Sequence, residues 1–195
     1  MAYLIDRINA QLAKEGLNPR TDKARAWLRS KVKSLNVSSD NLMKDRTRQV
    51  NERGRTILGR MFFYYYDPKT KDTLPYYDMF PLVLPYRIIP DGFYGLNLHY
   101  LPYLMRFKIL SKLDEFTNND NHDITTKVRL SWALLTSVST LKPLQACVKH
   151  YLANHVQSRF LNIAYPDWVT ASQLPVEQFV GATKTAVWKD SSRKY

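Results

Sequence analysis

The chain has 195 residues, 45% of them hydrophobic, which suits one domain of ordinary size with a true core and excludes wholesale disorder. Its 29 Lys and Arg against 17 Asp and Glu leave a net charge of +12, which favours an acidic partner: nucleic acid, an acidic protein surface or a membrane surface. With Cys147 as its only cysteine, it can form no intramolecular disulfide and no zinc site built on several cysteines.

The opening residues, Met1-Ala2-Tyr3-Leu4-Ile5-Asp6-Arg7, do not read as a signal peptide, because charge interrupts the apolar run. No apolar stretch approaches the roughly 18 residues that cross a bilayer, so no membrane partner is expected, and maturation is expected in a reducing cytoplasm. Leu4, Ile5, Ile8 and Leu12 recur at helical spacing, and Gly16 with Asn18-Pro19 beyond it offers a stop. A second helix is expected from Thr21 or Asp22, either of which can cap it. Its apolar stripe is Ala24, Trp27, Leu28 and Leu35, with Val32 at the margin. Residues 36–56 are polar, lack a stripe and read as a linker, with room for a helical turn, that would order only against a partner.

Residues 1–60 carry 14 basic and six acidic side chains, whereas residues 61–195 carry 15 and 11. The aromatic residues run the other way, with only Tyr3 and Trp27 before Met61. The expected organisation is therefore a basic helical arm and linker over residues 1–55 and an aromatic-rich body over 56–195. The arm supplies candidate DNA- or partner-binding residues: Arg20, Lys23, Arg25, Arg29, Lys31, Lys33, Lys44, Arg46, Arg48, Arg53 and Arg55. Clustered cations gain affinity for phosphates by releasing counterions. A solvated helix face is the plainer reading of the same charges.

In the body, Thr56 to Tyr66 has strand propensity with large groups on both faces, so it should be covered on both sides. Asp67 to Asp72 is a turn. Met79 to Pro85 and Tyr86 to Ile89 are broken by proline and suit sheet edges or strand ends. Pro90-Asp91-Gly92 turns into a further strand, Phe93 to Leu101. These segments predict a small, curved antiparallel sheet, SH3-like or a partial barrel.

Three to four packed helices should follow, making the fold class α+β. The first starts at Pro102 with Leu104, Phe107, Leu110, Leu113 and Phe116 inward. The second, capped by Asp123 or Thr125, turns in Val128, Trp132, Leu135 and Val138, and the third runs from about Pro143 to His155 with Leu144, Val148, Tyr151 and Leu152 inward. A short strand at Arg159 to Ile163 and a helix start at Pro166-Asp167-Trp168 come next. The tail holds Lys184, Lys189, Arg193 and Lys194 around Trp188 and is expected to be exposed or partner-bound.

No catalytic constellation emerges. His150 and His155 share neither a helix face nor a zinc motif, His122 lies in a polar loop, and His99 suits a buried, hydrogen-bonded role. Cys147 sits in a helical apolar context, as a small hydrophobe does. None of the six glycines forms a phosphate-cradling loop, and Asp67, Asp72, Asp78 and Asp91 read as turn residues rather than a metal cluster. No catalytic residue, metal or cofactor is expected. The aromatic set Phe62, Tyr64, Tyr66, Tyr76, Tyr77, Phe93 and Tyr94 could stack bases, but without the RNA-recognition sheet motif it reads as core or interface.

The run Met61-Phe62-Phe63-Tyr64-Tyr65-Tyr66-Asp67-Pro68-Lys69, with Leu74 to Leu82, Gly92 to Pro102, Lys142 to Tyr151 and Lys184 to Ser191, resembles a family of small virion proteins of T-even-like contractile-tailed bacteriophages. The resemblance covers about residues 60–190, and the arm carries none of it. It implies a non-enzymatic protein of DNA end protector type, which would bind the ends of packaged DNA and shield them from host exonuclease. A baseplate, tail or neck component is the alternative implication. Either role implies other virion proteins as partners, several copies in a symmetric assembly, and assembly in the bacterial cytoplasm.

Overall fold

The apolar spacing near the N-terminus does form a helix: α1, Leu4–Lys14, buries Leu4, Ile5, Ile8 and Leu12. The structure, a computed structural model, describes residues 3–51, 54–117, 119, 121–138 and 142–193. Gly16 ends α1 at φ +66°, a left-handed conformation that glycine adopts at little cost, and Leu17 N–H closes the turn on Leu12 C=O at 2.9 Å. Of the two candidate caps for α2, Asp22–Lys31, Thr21 is the one used: its hydroxyl accepts from Ala24 N–H at 3.2 Å, worth about 1 kcal/mol.

Residues 36–56, expected as a linker, contain α3, Ser39–Met43, and β1, Gln49–Val50. Ser38 caps α3 by accepting from Asn41 N–H at 3.1 Å, and β1 pairs with β7, Phe160–Ile163. The missing apolar stripe is replaced by one buried leucine, Leu42, and by polar ties. The stripes of α1 and α2, with Val32, Leu35 and Leu42, lie in the same buried cluster as Met61, Phe63, Leu82 and Leu161 of the sheet. The N-terminal helices thus contribute to the core itself.

That sheet is antiparallel and runs in the order β1, β7, β2 (Met61–Phe63), β4 (Leu82–Ile89), β5 (Gly92–Asn97), β6 (Val148–Leu152). It is wider than the small sheet expected, and it is not closed: β1 and β6 are its edges. A separate pair joins β3, Tyr77–Asp78, to β8, Phe179–Val180. The regular strand β2 is shorter than the run Thr56 to Tyr66, but it is buried on both sides. Met61 and Phe63 face the helices, and Phe62, Tyr64 and Tyr66 join Val83, Phe93 and Tyr151 in a second cluster on the other face. Pro85 falls inside β4 rather than at an edge. A register shift between Pro85 and Arg87 accommodates it, beyond the residues that β2 pairs.

Helices α4, Tyr103–Thr117, and α5, Ile124–Val138, form as expected and bury Leu110, Leu113 and Leu135 of the expected stripes, while the side chains of Phe116 and Val138 lie outside the described residues. Leu104 and Trp132 are exposed, while Arg106 and Ser131 are buried. Trp132 lies across the sheet and donates its indole N–H to Tyr86 C=O at 2.6 Å.

The predicted third helix stops early. α6 covers only Lys142–Gln145, and the chain then becomes β6, paired along its length with β5. Here pairing to an open sheet edge overrides a helical spacing of apolar residues. α7, Trp168–Gln173, is buried throughout. The tail is exposed along its cations but docked on its other face: α8, Lys184–Arg193, buries Val187 and Ser191, and Trp188 donates to His99 C=O at 2.8 Å.

Candidate nucleic-acid interface

Of the cations singled out near the N-terminus, Arg20, Lys23, Arg29, Lys31, Lys33, Lys44 and Arg46 are exposed. Lys23, Arg29 and Lys31 project from α2, and Lys33 follows in the next helical turn. Arg53, Lys194 and the Arg55 side chain lie outside the described residues.

Two of the set are used inside the fold. Arg25 is buried with its guanidinium 3.3 Å from the centre of the Phe107 ring, beside Asp22. Burial, and then the nearby charge of Arg29, lower its pKa. Arg48 binds three carboxylates: Asp6 at 2.6 Å, Asp45 at 3.0 Å and Asp167 at 2.9 Å. It ties α1 and the turn before β1 to the start of α7. Burial raises the Asp167 pKa, against the pull of Arg48.

Lys184, Lys189 and Arg193 are exposed along α8. The fold packs helices from the two ends of the sequence on α4: Arg25 of α2 lies over Phe107, and α8 meets Tyr103 one turn earlier. Lys184 Nζ lies 3.4 Å from the Tyr103 hydroxyl and the Arg106 guanidinium 4.6 Å from its ring centre, while Trp188 packs edge-on against the ring at 5.3 Å. Burial and the Glu177 carboxylate raise the Tyr103 pKa, whereas Arg106 and Arg29 lower it. Lys108 and Lys112, both exposed and one turn apart on α4, extend the basic surface. The sequence reading missed both, because they stand singly among apolar residues.

Beneath this surface the charges are neutralised. Arg106, fully buried, reaches Leu101 C=O at 2.8 Å, Ser172 C=O at 2.9 Å and Glu177 at 2.6 Å. Asp78 and His99 meet at 2.8 Å with side chains 1% and 0% exposed. Burial pushes the Asp78 pKa up, but His99 and the hydrogen bonds from Asn97 and Phe80 outweigh it and hold it below the usual range. This pair, closed to solvent, links β3 to the helical turn that follows β5. Asp78, read from the sequence as a turn residue, is therefore a buried hub. Burial pushes the Cys147 thiol up to about 12, so it stays protonated. Among the described residues no group of three His, Cys, Asp or Glu is placed to hold a metal ion. No helix among the described residues is long and apolar enough to cross a membrane.

The aromatic set divides. Phe62, Tyr64, Tyr66 and Phe93 are buried, with Tyr64 and Phe160 rings 4.8 Å apart. Tyr76, Tyr77 and Tyr94 are half-buried. Two clefts open beside the sheet. The larger, about 960 Å³, lies over the second face between Ile57, Ile88, Phe93, Arg159 and Phe160. The smaller, about 410 Å³, lies between the 67–77 loop and β6 and has five tyrosines in its lining.

A family model described as Phage T4 terminal DNA protecting protein matches residues 7–193. The match runs from α1 to α8 and takes in the N-terminal helices, to which the sequence resemblance did not extend. No curated protein and no solved structure matches the chain.

Proposed function

Because the chain belongs to the phage T4 terminal DNA protecting protein family, we propose that it is a non-enzymatic virion protein that binds the ends of duplex DNA and covers them against exonuclease. The observation that carries this reading is that α2 and α8, both lined with exposed cations, pack on the same helix α4, through Arg25 on Phe107 and Trp188 on Tyr103, on a frame whose arginines at 25, 48 and 106 are held internally.

Affinity for duplex should fall steeply with salt, with a slope of roughly 0.9 in log K per log salt for each phosphate neutralised. Replacing Lys23, Lys31 and Lys33 together by glutamate should flatten that slope by about three phosphates. Titration of a labelled duplex at several salt concentrations measures both, and an exonuclease assay on the same duplex measures protection. A slope near zero, with no protection, ends the DNA reading. The same cations would then face acidic protein, as a baseplate, tail or neck adaptor requires.

A further inference from the structure

The smaller cleft combines flat aromatic walls, cations and open backbone groups. Tyr66, Tyr76, Tyr77, Tyr100 and Tyr151 all line it, with Lys69 and Lys149 among its other residues. Tyr76 and Tyr100 ring centres are 6.0 Å apart, and Lys149 Nζ lies 3.9 Å from the Tyr100 centre, so the ammonium is held at the wall rather than loose in solvent. The one carboxylate lining it is Asp78, already bound to His99 and Asn97. Among the lining side chains the two ammonium groups thus outnumber the one carboxylate. On β6, Cys147 C=O and Ala153 N–H bond back to Asn97 and Asp91, on the β5 side. By the alternation of a strand, the backbone groups of Val148, His150 and Leu152 point the other way, into the cleft. Leu152 N–H is taken there by the Tyr66 hydroxyl at 3.2 Å.

Resting on the DNA-end reading above, we infer that this cleft holds one unpaired terminal nucleotide of the bound DNA, with its base against Tyr76 and Tyr77 and its phosphate between Lys69 and Lys149. Base faces stack on tyrosine whatever the sequence, which suits a protein that must accept any end. The edge groups of β6 supply donors and acceptors for a base edge. A volume of about 410 Å³ is at the scale of a small-ligand site and far too small for a duplex. An added peptide strand fits less well, because Tyr66 already occupies Leu152 N–H and the 67–77 loop stands over the edge.

The test uses the full chain and a duplex with a short overhang carrying 2-aminopurine at its terminus. Stacking should quench the probe on binding. Tyr77→Ala should abolish the quenching, and Tyr77→Ala and the exposed Lys69→Glu should each weaken overhang binding roughly tenfold. Binding to closed circular DNA, which has no ends, should be unchanged in both. Arg159→Glu, a charge reversal in the larger cleft, should leave end binding unchanged.

If the protein shields ends from exonuclease but the probe stays bright and Lys69→Glu binds as well as the parent, the cleft assignment is overturned and the DNA-end reading stands. If Arg159→Glu alone removes the quenching, the nucleotide belongs in the larger cleft and the assignment is again overturned. If the parent protein neither shields ends nor prefers them to circles, the DNA-end reading fails and the cleft assignment fails with it.

Discussion

Arg106→Met should destabilise the protein by about 3–5 kcal/mol, the usual cost of removing one partner from a buried ion pair. Methionine roughly keeps the volume but removes the charge. The Glu177 carboxylate, with its side chain 1% exposed, would keep only Lys184 at 3.9 Å as a nearby cation. The carbonyls of Leu101 and Ser172 would lose their bonds from the guanidinium as well. In a chain of this size the loss should lower Tm by roughly 10 °C, which calorimetry measures. Arg106→Met with Glu177→Met should recover a large part of it, since an apolar pair leaves no stranded charge. Equal melting of the single and double variants would show that the carbonyl bonds, not the ion pair, carry the contribution. The consequence reaches the surface: Arg106 packs under Tyr103 and Trp188, so its removal should also loosen the seat of α8 and its exposed Lys184.

Arg106 was invisible in the sequence for a physical reason. It sits between Met105 and Phe107 in a run that reads as an apolar stripe, and its acceptors at 99, 101, 172 and 177 are set by the tertiary fold. The stripes of α1 and α2 were legible because helical periodicity is a local property, and the cap at Thr21 is read within three residues. The same periodicity misled at β6. Leu144, Val148, Tyr151 and Leu152 satisfy a helical stripe, yet the open edge of β5 claims the backbone. A count of charges gave the sign of the surface but not which cations are spent inside: Arg25 lies over a ring that is 82 positions away in sequence, and Arg48 bridges carboxylates numbered from 6 to 167. The small cleft was legible only in part. Tyr76 and Tyr77 stood out as aromatic, but Lys149 faces them only because residues 148–152 form a strand.

Asp78→Asn should be nearly as costly as the loss of Arg106, and its cost should depend on pH. Four donors converge on the Asp78 carboxylate. Phe80 N–H at 3.1 Å and Gln178 N–H at 3.3 Å reach Oδ1, and the Asn97 amide at 3.1 Å and the His99 ring nitrogen at 2.8 Å reach Oδ2. An amide offers one oxygen in place of two, so its NH2 must face one pair of donors, and two buried donors lose their acceptor. At about 1–3 kcal/mol for each stranded group, the total is roughly 2–6 kcal/mol at neutral pH. The sign with pH follows from the direction of the shift. The Asp78 pKa is held below the ordinary carboxylate value in the fold, so the stabilisation is fully present above about pH 4 and is lost as pH falls through the lowered value. Glu177, held low by Arg106 against its burial, changes in the same sense. Urea unfolding of the parent should therefore weaken on acidification below about pH 4, while Asp78→Asn, with nothing to titrate at that position, should weaken less. The gap between the two should narrow as the pH drops. A gap that stays constant from pH 7 down to acid unfolding would mean that the carboxylate acts through packing alone, and that the links it makes from β3 to the residues after β5 and before β8 do not depend on its charge.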